Sequence, residues 1–495
     1  MTAVGIDLGT TYSAVAAVDS SGQPVLLAGA DGDPVTPSVV CFDGETPIVG
    51  RAARVAAARS PHECVELVKR HIGEPSWRFE TALGTAYTAE QISALILRKL
   101  ARDAGAALGR PVREAVITVP AYFDDARRRA TADAGRIAGL DVLRVLNEPT
   151  AAALAFGYAS GRDETLLVYD LGGGTFDVTM VRVTGGVCEV LATDGDRNLG
   201  GFDFDNALML HVAERIRAAG GPDPLDGDTA EAALRDHCEQ AKRSLSALPE
   251  ATVAIGSGGH VYTVDVTRPT FTDLTAGLLR RTEEIVRDVL EAAEVRPGAV
   301  LLVGGSSRMP MVAAMAERVT GVRADRSVHP DQAVALGAAV QAAALSRSGP
   351  RATREPVAVL DVTSQSLGIA VRSASTGSEE NSVVIPRNTP IPCQAGRRYR
   401  TLAENQREIL VEVTEGDDTD LRYVTIVGSA RIAIPPRPES VTIDVVMSYD
   451  EDGMIGVDVV ESATGDPLGD FEIDRRANLD AREVDRMREA LRTLT

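Results

Sequence analysis

One motif occurs twice, and its repetition constrains the fold more than any other feature of the chain. Val4-Gly-Ile-Asp-Leu-Gly-Thr-Thr-Tyr-Ser-Ala-Val15 and Val168-Tyr-Asp-Leu-Gly-Gly-Gly-Thr-Phe-Asp-Val-Thr179 start 164 residues apart. Each reads as a short apolar strand carrying Asp, a Gly/Thr turn and an alternating second strand. Two such copies predict two lobes descended from one unit. A third glycine turn, Gly304-Gly-Ser-Ser-Arg-Met-Pro310, follows the apolar strand Ala299–Val303, and Pro310 suits the first position of a helix.

The rest of the pattern divides the chain. Gln91–Leu100, Thr229–Leu248 and Thr272–Glu294 carry apolar residues at helical spacing between strands, which predicts an α/β domain over residues 1–347. Residues 348–363 read as a linker, entered through the polar, Pro/Gly-marked run Ser346–Pro356 and left through the apolar Val357–Val362. Short alternating strands such as Glu408–Val413 and Ser440–Ser448 predict a β-sandwich over residues 364–476. A final helix over residues 477–495 starts at Asn478 or Asp480 as cap.

Composition removes several functions. A net charge of −20, from 51 basic and 71 acidic residues, repels phosphodiester backbones and anionic lipid, so neither nucleic acid nor membrane is an expected partner. No run of about 18 apolar residues offers a membrane span, and the first residues lack the basic and apolar regions of a leader, which points to the cytoplasm. The five cysteines, Cys41, Cys64, Cys188, Cys238 and Cys393, stand singly with no C-x-x-C, an arrangement expected of a reducing compartment and not of structural zinc. Only Lys69, Lys99 and Lys242 are lysine in a chain otherwise rich in arginine. A lysine kept in such a background can mark a place that needs a compact point charge, whereas Lys99, on an amphipathic helix, reads as an ordinary residue.

Binding a nucleoside triphosphate takes backbone N–H groups for the phosphates and carboxylates to hold hydrated Mg²⁺. No P-loop precedes any lysine. Two facing Asp-Leu-Gly hairpins supply the alternative: both glycine turns point into one cleft, with Asp7 and Asp170 on opposite sides of a metal. Glu239, Lys242, Arg243 and Ser246 fall at i, i+3, i+4 and i+7, on one helix face that is equally compatible with a nucleoside or with solvent.

Ile6–Ser13, Ile117-Thr-Val-Pro-Ala-Tyr-Phe123, Asn147-Glu-Pro-Thr-Ala-Ala-Ala153, Asp170–Asp177 and Leu302-Val-Gly-Gly-Ser-Ser-Arg-Met-Pro310 closely resemble the DnaK-type, seventy-kilodalton heat-shock chaperones. Asp361-Val-Thr, Ser366-Leu-Gly-Ile and Asn388-Thr-Pro-Ile-Pro resemble that family's linker and peptide-binding domain. The resemblance implies a two-lobed actin-like ATPase, a linker and a β-sandwich, acting as an ATP-dependent chaperone that binds exposed hydrophobic segments. It implies a first phosphate loop of Gly9, Thr10, Thr11 and Tyr12, and a second of Gly172, Gly173, Gly174 and Thr175. Lys69 would stand near the γ-phosphate, Glu148 would position the attacking water, and Asp170 and Asp177 would act with Asp7 around Mg²⁺ and that water. Glu239, Lys242, Arg243 and Ser246, completed by Gly304, Gly305, Ser306, Arg308 and Asp331, would hold adenosine.

The same resemblance assigns Tyr399, Leu402 and Ile409 to the peptide channel, although apolar sandwich core explains Ile409 nearly as well. Pro120, Arg128, Val357, Leu360 and Asp361 would couple the domains, and Arg144 would meet a J-domain co-chaperone; a nucleotide-exchange factor is the other implied partner. Departures from the family include the short stretch between Lys69 and Gln91, His329-Pro-Asp-Gln, Ser364-Gln365, and a helical lid expected to be absent beyond the start of its first helix. Two other readings stay open. One is a nucleotide-gated interaction protein with a single dedicated partner. The other is an actin-like sugar or acetate kinase, against which the Asp361–Ile473 region stands.

Overall fold

The computed structural model describes residues 2–257, 260–325, 329–346, 358–373, 377–436, 440–450, 455–473, 479 and 481–492. Two compact units make up the chain: Met1–Phe123, Arg127–Val359 and Leu479–Thr495 form the first, and Asp124–Ala126 with Leu360–Asn478 the second.

The first unit repeats one design. Its early half contains β1 (Thr2–Asp7), β2 (Tyr12–Val18), β3 (Pro24–Leu26), β4 (Val35–Pro37), β5 (Val40–Asp43) and β6 (Thr46–Val49). Helix α1 (Arg51–Ala57), β7 (Cys64–Val65), β8 (Phe79–Glu80), β9 (Ala86–Tyr87), α2 (Ala89–Leu108), β10 (Val112–Val119), α3 (Asp125–Ile137) and β11 (Asp141–Asn147) follow. The later half has α4 (Glu148–Ser160), β12 (Glu164–Leu171), β13 (Phe176–Thr184), β14 (Val187–Asp196), α5 (Gly201–Ala218), α6 (Asp228–Ala247), β15 (Glu250–Ser257) and β16 (His260–Thr267). It ends with α7 (Arg268–Leu274), α8 (Ala276–Ala293), β17 (Ala299–Val303), α9 (Pro310–Thr320), β18 (Ala324–Asp325) and α10 (Ala333–Leu345).

One six-stranded sheet runs β11-β10-β1-β2-β3 with β4 also on β2; the other runs β18-β17-β12-β13-β14-β19, where β19 is Ala358–Leu360. In each, an Asp-bearing hairpin pairs in parallel with a later strand, β1 with β10 and β12 with β17. Each sheet buries one face under its own helices, and a third apolar cluster, built from the alanines of α4 and α10, joins Val116 and Leu146 of the first sheet to Val168 and Leu301 of the second.

Local chemistry explains where the elements stop. Thr88 and Gln91 form a reciprocal capping box at the start of α2, and Gly109 ends it in the left-handed region. Pro310 opens α9 as expected. The predicted helix Thr272–Glu294 is instead two, because Thr275 turns inward and its buried hydroxyl donates to the Phe271 carbonyl at 2.8 Å. Asn478 and Asp480, expected to cap the last helix, lie outside the described residues, as does Val357. That helix, α11 (Ala481–Arg492), belongs to the first unit: Val484, Met487 and Leu491 join the apolar core around α2, and Arg98 donates to the Leu491 carbonyl.

The expectation that all five cysteines stand singly is corrected. Cys41 of β5 and Cys64 of β7 are cross-strand neighbours joined by a disulfide, while Cys188, Cys238 and Cys393 remain thiols. The pairing follows from the antiparallel register, which a separation of 23 residues in sequence does not reveal.

The second unit is a β-sandwich. Strands β20 (Leu367–Arg372), β21 (Glu379–Ile385), β23 (Glu408–Glu415) and β24 (Thr425–Ala433) form one sheet in the order β21-β20-β23-β24. The other is β22-β25-β26-β27, from β22 (Cys393–Arg400), β25 (Thr442–Tyr449), β26 (Ile455–Glu461) and β27 (Pro467–Glu472). Alternate residues point inward, so Ile369, Val411 and Val413 meet Val445, Met447, Val457 and Val459 in a single core.

Candidate active site

The two Asp-Leu-Gly hairpins border a cleft of about 470 Å³ within the first unit. Every ATPase residue singled out from the sequence lines it except Gly174 and Asp177. Gly174 instead offers its carbonyl to Arg70 at 2.9 Å, and Asp177 accepts the Tyr122 amide at 2.9 Å, which ties it to the Pro120–Phe123 turn.

The turns are packed too closely for side chains. A Cβ on Gly173 would fall 1.6 Å from the hydroxyl oxygen of Thr11, and one on Gly174 would fall 2.5 Å from Thr10 Cγ2. Gly172 and Gly173 give their carbonyls to the amides of Gly201 and Phe202 at 2.9 and 2.8 Å, and the Gly172 amide donates to the Thr175 carbonyl at 3.0 Å, which fixes the turn on the cleft wall. Thr11 Oγ1 is buried on the cleft wall with no hydrogen-bond partner among the described residues. An unpaired buried hydroxyl is costly unless a ligand satisfies it, and a phosphate oxygen does so.

Carboxylates dominate the floor. Asp7 and Asp170 lie at the ends of β1 and β12, and Pro149 starts α4 so that Glu148 stands at its N-terminus beside them. Burial, and next the charge on Glu148, push Asp7 up to about 7 and Asp177 up to about 8. The same two causes raise Asp170 well above the ordinary carboxylate range. Lys69, buried in the 3-10 turn Val68–His71, pairs with Glu148 and lies 5.9 Å over the Phe123 ring. One ammonium thus faces four carboxylates, a set that calls for added positive charge. Among the described residues no three metal-ligating side chains are grouped tightly enough to hold an ion directly; Asp7 and Asp170 are oxygen donors of the kind a hydrated divalent cation takes.

The far end of the cleft brings together the residues expected to hold a nucleoside. Lys242 is buried, and its ammonium is engaged by Asp205 at 2.8 Å and the Gly201 carbonyl at 2.9 Å. Ser246 donates only weakly, back to the Lys242 carbonyl at 3.4 Å. Arg308 pairs with Asp331 at 2.5 Å, where Gly304 and Gly305 leave room for a ligand.

Of a cluster on the cleft wall, Tyr12, Glu239 and Arg243 were expected, but Arg54 and the contacts that join the four were not. Arg54 of α1 and Arg243 of α6 each donate to the Tyr12 hydroxyl at 2.9 Å and flank its ring, and both bind Glu239. Burial would raise the Glu239 carboxyl, but Arg54, then Arg243 and Lys242, hold it below its usual range. Arg70, Asp205 and Phe202 were also missed. Arg70's adjacency to Lys69 and the Gly200-Gly201 pair were the available signals.

The remaining predicted residues are spread over the two units. Arg128 donates to Asn147, next to Glu148, while Arg144 lies on β11. The Ala358 amide donates to the Gly186 carbonyl at 2.9 Å, adding the start of β19 to the edge beside β14. Leu360 is exposed, and the Asp361 carbonyl accepts the Ile391 amide. In the sandwich Tyr399 shares a hydrogen bond with Ser382 at 3.1 Å; Leu402 is 71% exposed, whereas Ile409 is 7% exposed and part of the core.

A duplicated hairpin clamp over a carboxylate floor, joined to a separate β-sandwich, defines a two-lobed ATPase of the actin-like class coupled to a second binding domain. The Hsp70 protein family model matches residues 3–494. Chaperone protein DnaK of Halobacterium salinarum is 41% identical over 498 residues, covering 98% of this chain and 77% of the relative. DnaK of Thermus thermophilus is also 41% identical, covering 94% and 79%. A ribosome-associated molecular chaperone of Eremothecium gossypii is 38% identical, covering 94% and 80%. The chain belongs to the Hsp70 family. It is an ATP-dependent molecular chaperone, an ATPase that binds unfolded polypeptides. No helix among the described residues is long and apolar enough to cross a membrane.

Proposed function

We propose that the cleft hydrolyses ATP by positioning and charge neutralisation, with no covalent intermediate. The observation that carries this reading is the pair of glycine turns facing one cleft, with the orphaned Thr11 hydroxyl and the buried Lys69–Glu148 pair beside them. The turns Gly9–Tyr12 and Gly172–Thr175 bind the phosphates, through backbone amides other than that of Gly172, which donates to the Thr175 carbonyl. Lys69 offsets charge developing on the γ-phosphoryl group, and Glu148 and Asp177 orient the attacking water. Asp7 and Asp170 would hold Mg²⁺ through its water shell, where the ion would neutralise phosphate oxygens. Glu239, Arg243, Ser246, Gly304, Gly305, Ser306, Arg308 and Asp331 hold the nucleoside, with Lys242 setting the cleft wall through Asp205.

Tyr399 and Leu402 would touch extended client segments, and Ile409 supports them from the core. Pro120, Arg128, Val357, Leu360 and Asp361 would relay nucleotide state to the sandwich. A J-domain protein meeting Arg144, a nucleotide-exchange factor and a cytoplasmic location complete the reading, and only the family resemblance supports them. A thermal-shift titration tests the central claim: Mg-ATP should stabilise the first unit by about 2.7 kcal/mol at one hundred times Kd, and a chelator should remove most of that. An unchanged melting temperature at saturating Mg-ATP refutes the assignment.

A further inference from the structure

The Cys41–Cys64 disulfide lies beneath the groups that close the cleft. Cys41 is 2% exposed and packs against Ala53, Ala56 and Ala57 of α1. Its sulfur is 3.1 Å from the Ala53 carbonyl oxygen. Cys64, by contrast, is half-buried. The bridged segments run straight into the site: Ala53 precedes Arg54, the residue of α1 that reaches Tyr12 and Glu239. Cys64 begins the stretch Cys64-Val-Glu-Leu-Val-Lys69, in which Glu66, Leu67 and Lys69 all line the cleft. Leu67 there takes a left-handed backbone, at φ 57°, immediately before the turn that carries Lys69. Strand β7 is only two residues long, and its pairing with β5 consists of Cys41–Cys64 and Val40–Val65.

We propose that Cys41 and Cys64 form a reversible thiol–disulfide site that sets how long the cleft retains its nucleotide, an inference resting on the nucleotide-binding role proposed above. In the reduced state the Cys41 thiol can donate to the Ala53 carbonyl already within reach. The bridge fixes β7 to the strand beneath α1, so it removes open conformations, in which Arg54 and the Lys69 turn separate, more than closed ones. Oxidised protein therefore holds nucleotide longer.

The reductant is a dithiol. One of its thiolates attacks Cys64 Sγ, the Sγ–Sγ bond breaks, and Cys41 leaves as thiolate and takes a proton from water. The second thiol of the reductant loses its proton and attacks the mixed disulfide, which frees Cys64 as thiolate to be protonated in turn. Two electrons and two protons pass from the dithiol to the protein, and the reductant leaves as a disulfide. An excess of oxidised glutathione runs the sequence backward.

The test uses the full chain equilibrated with dithiothreitol or with oxidised glutathione, its thiols counted by alkylation and mass, and release of a fluorescent ADP followed by stopped flow. Release should be slower from the oxidised protein by about threefold or more. The difference should vanish in Cys64→Ser and in Cys41→Ala, both of which keep Cys188, Cys238 and Cys393. The partly exposed Cys64 provides the variant less disruptive to folding. Equal release rates in the two states overturn the proposal, as does a difference that persists in Cys64→Ser, or a failure of oxidised glutathione to protect both thiols from alkylation. ADP that binds in neither state overturns the nucleotide reading underneath it, an outcome distinct from ADP that binds and leaves at one rate.

Discussion

Lys69 is buried against Glu148 in a cleft floor crowded with carboxylates, and its size matters as much as its charge. A guanidinium is a planar fork and cannot take the place of a point charge in that space. Lys69→Arg should therefore lose hydrolysis nearly as fully as Lys69→Ala, while Glu148→Ala slows it by about 10²- to 10⁴-fold with ATP binding largely kept. Single-turnover hydrolysis near the wild-type rate in Lys69→Arg contradicts the role. The floor also makes the ligand-free protein pH-sensitive. Asp7 and Asp177 rise from 3.8 to about 7 and about 8 on folding, so the folded state binds more protons than the unfolded one between those values. Stability from this source is complete below about pH 4 and declines as pH rises through the folded values. The melting temperature of ligand-free protein should fall from pH 5.5 to 8.5 more steeply than that of Asp177→Asn; parallel slopes in a calorimetric series exclude the effect. Lys69 drew notice in the sequence because lysine is rare here and its surroundings resemble the family motif, although the equally rare Lys99 does not line the cleft. Arg54 was not, since one more arginine in an arginine-rich chain signals nothing until α1 and α6 are brought face to face.

Among the elements, α4 and α10 decide how the two sheets of the ATPase unit are held. Both helices are apolar on nearly every side, because each packs between the sheets. A Cβ on Gly337 would stand 1.7 Å from the Ala151 carbonyl oxygen, and one on Gly5 would meet the backbone of α10 at 2.1 Å. Gly337→Ala must push α4 and α10 apart. It should cost about 1–3 kcal/mol and weaken ADP binding, since Glu148 begins α4 and the turn carrying Asp331 precedes α10. A denaturant midpoint unchanged from wild type would show that the helices can part freely. Periodicity found the helical stretches now seen as α2, α6 and α8 and the alternation of the sandwich strands, because those patterns are local; α4 and α10, apolar on nearly every side, carry no such period. It could not find the break at Thr275 or the Cys41–Cys64 pairing, which depend on a buried hydroxyl and on strand register.

At the scale of the whole molecule, the chain leaves the ATPase unit after Val359 and re-enters it at Leu479. The return is secured by α11, whose Leu491 is 1% exposed within the core around α2. Leu491→Ala should remove about 2–5 kcal/mol from that docking, and amide exchange should quicken in α11 and the facing side of α2 while β12 and β13 stay protected. Uniform exchange in both helices, unchanged by the substitution, would mean that α11 is not held there. Held in this way, the sandwich is an insertion with two tethers, and mechanical load reaches it in an unusual order. A pull between the first strand and the last helix does not pass through the sandwich while α11 stays seated. The force first peels a single amphipathic helix from α2, and only then stretches the sandwich, so α11 serves as a mechanical fuse.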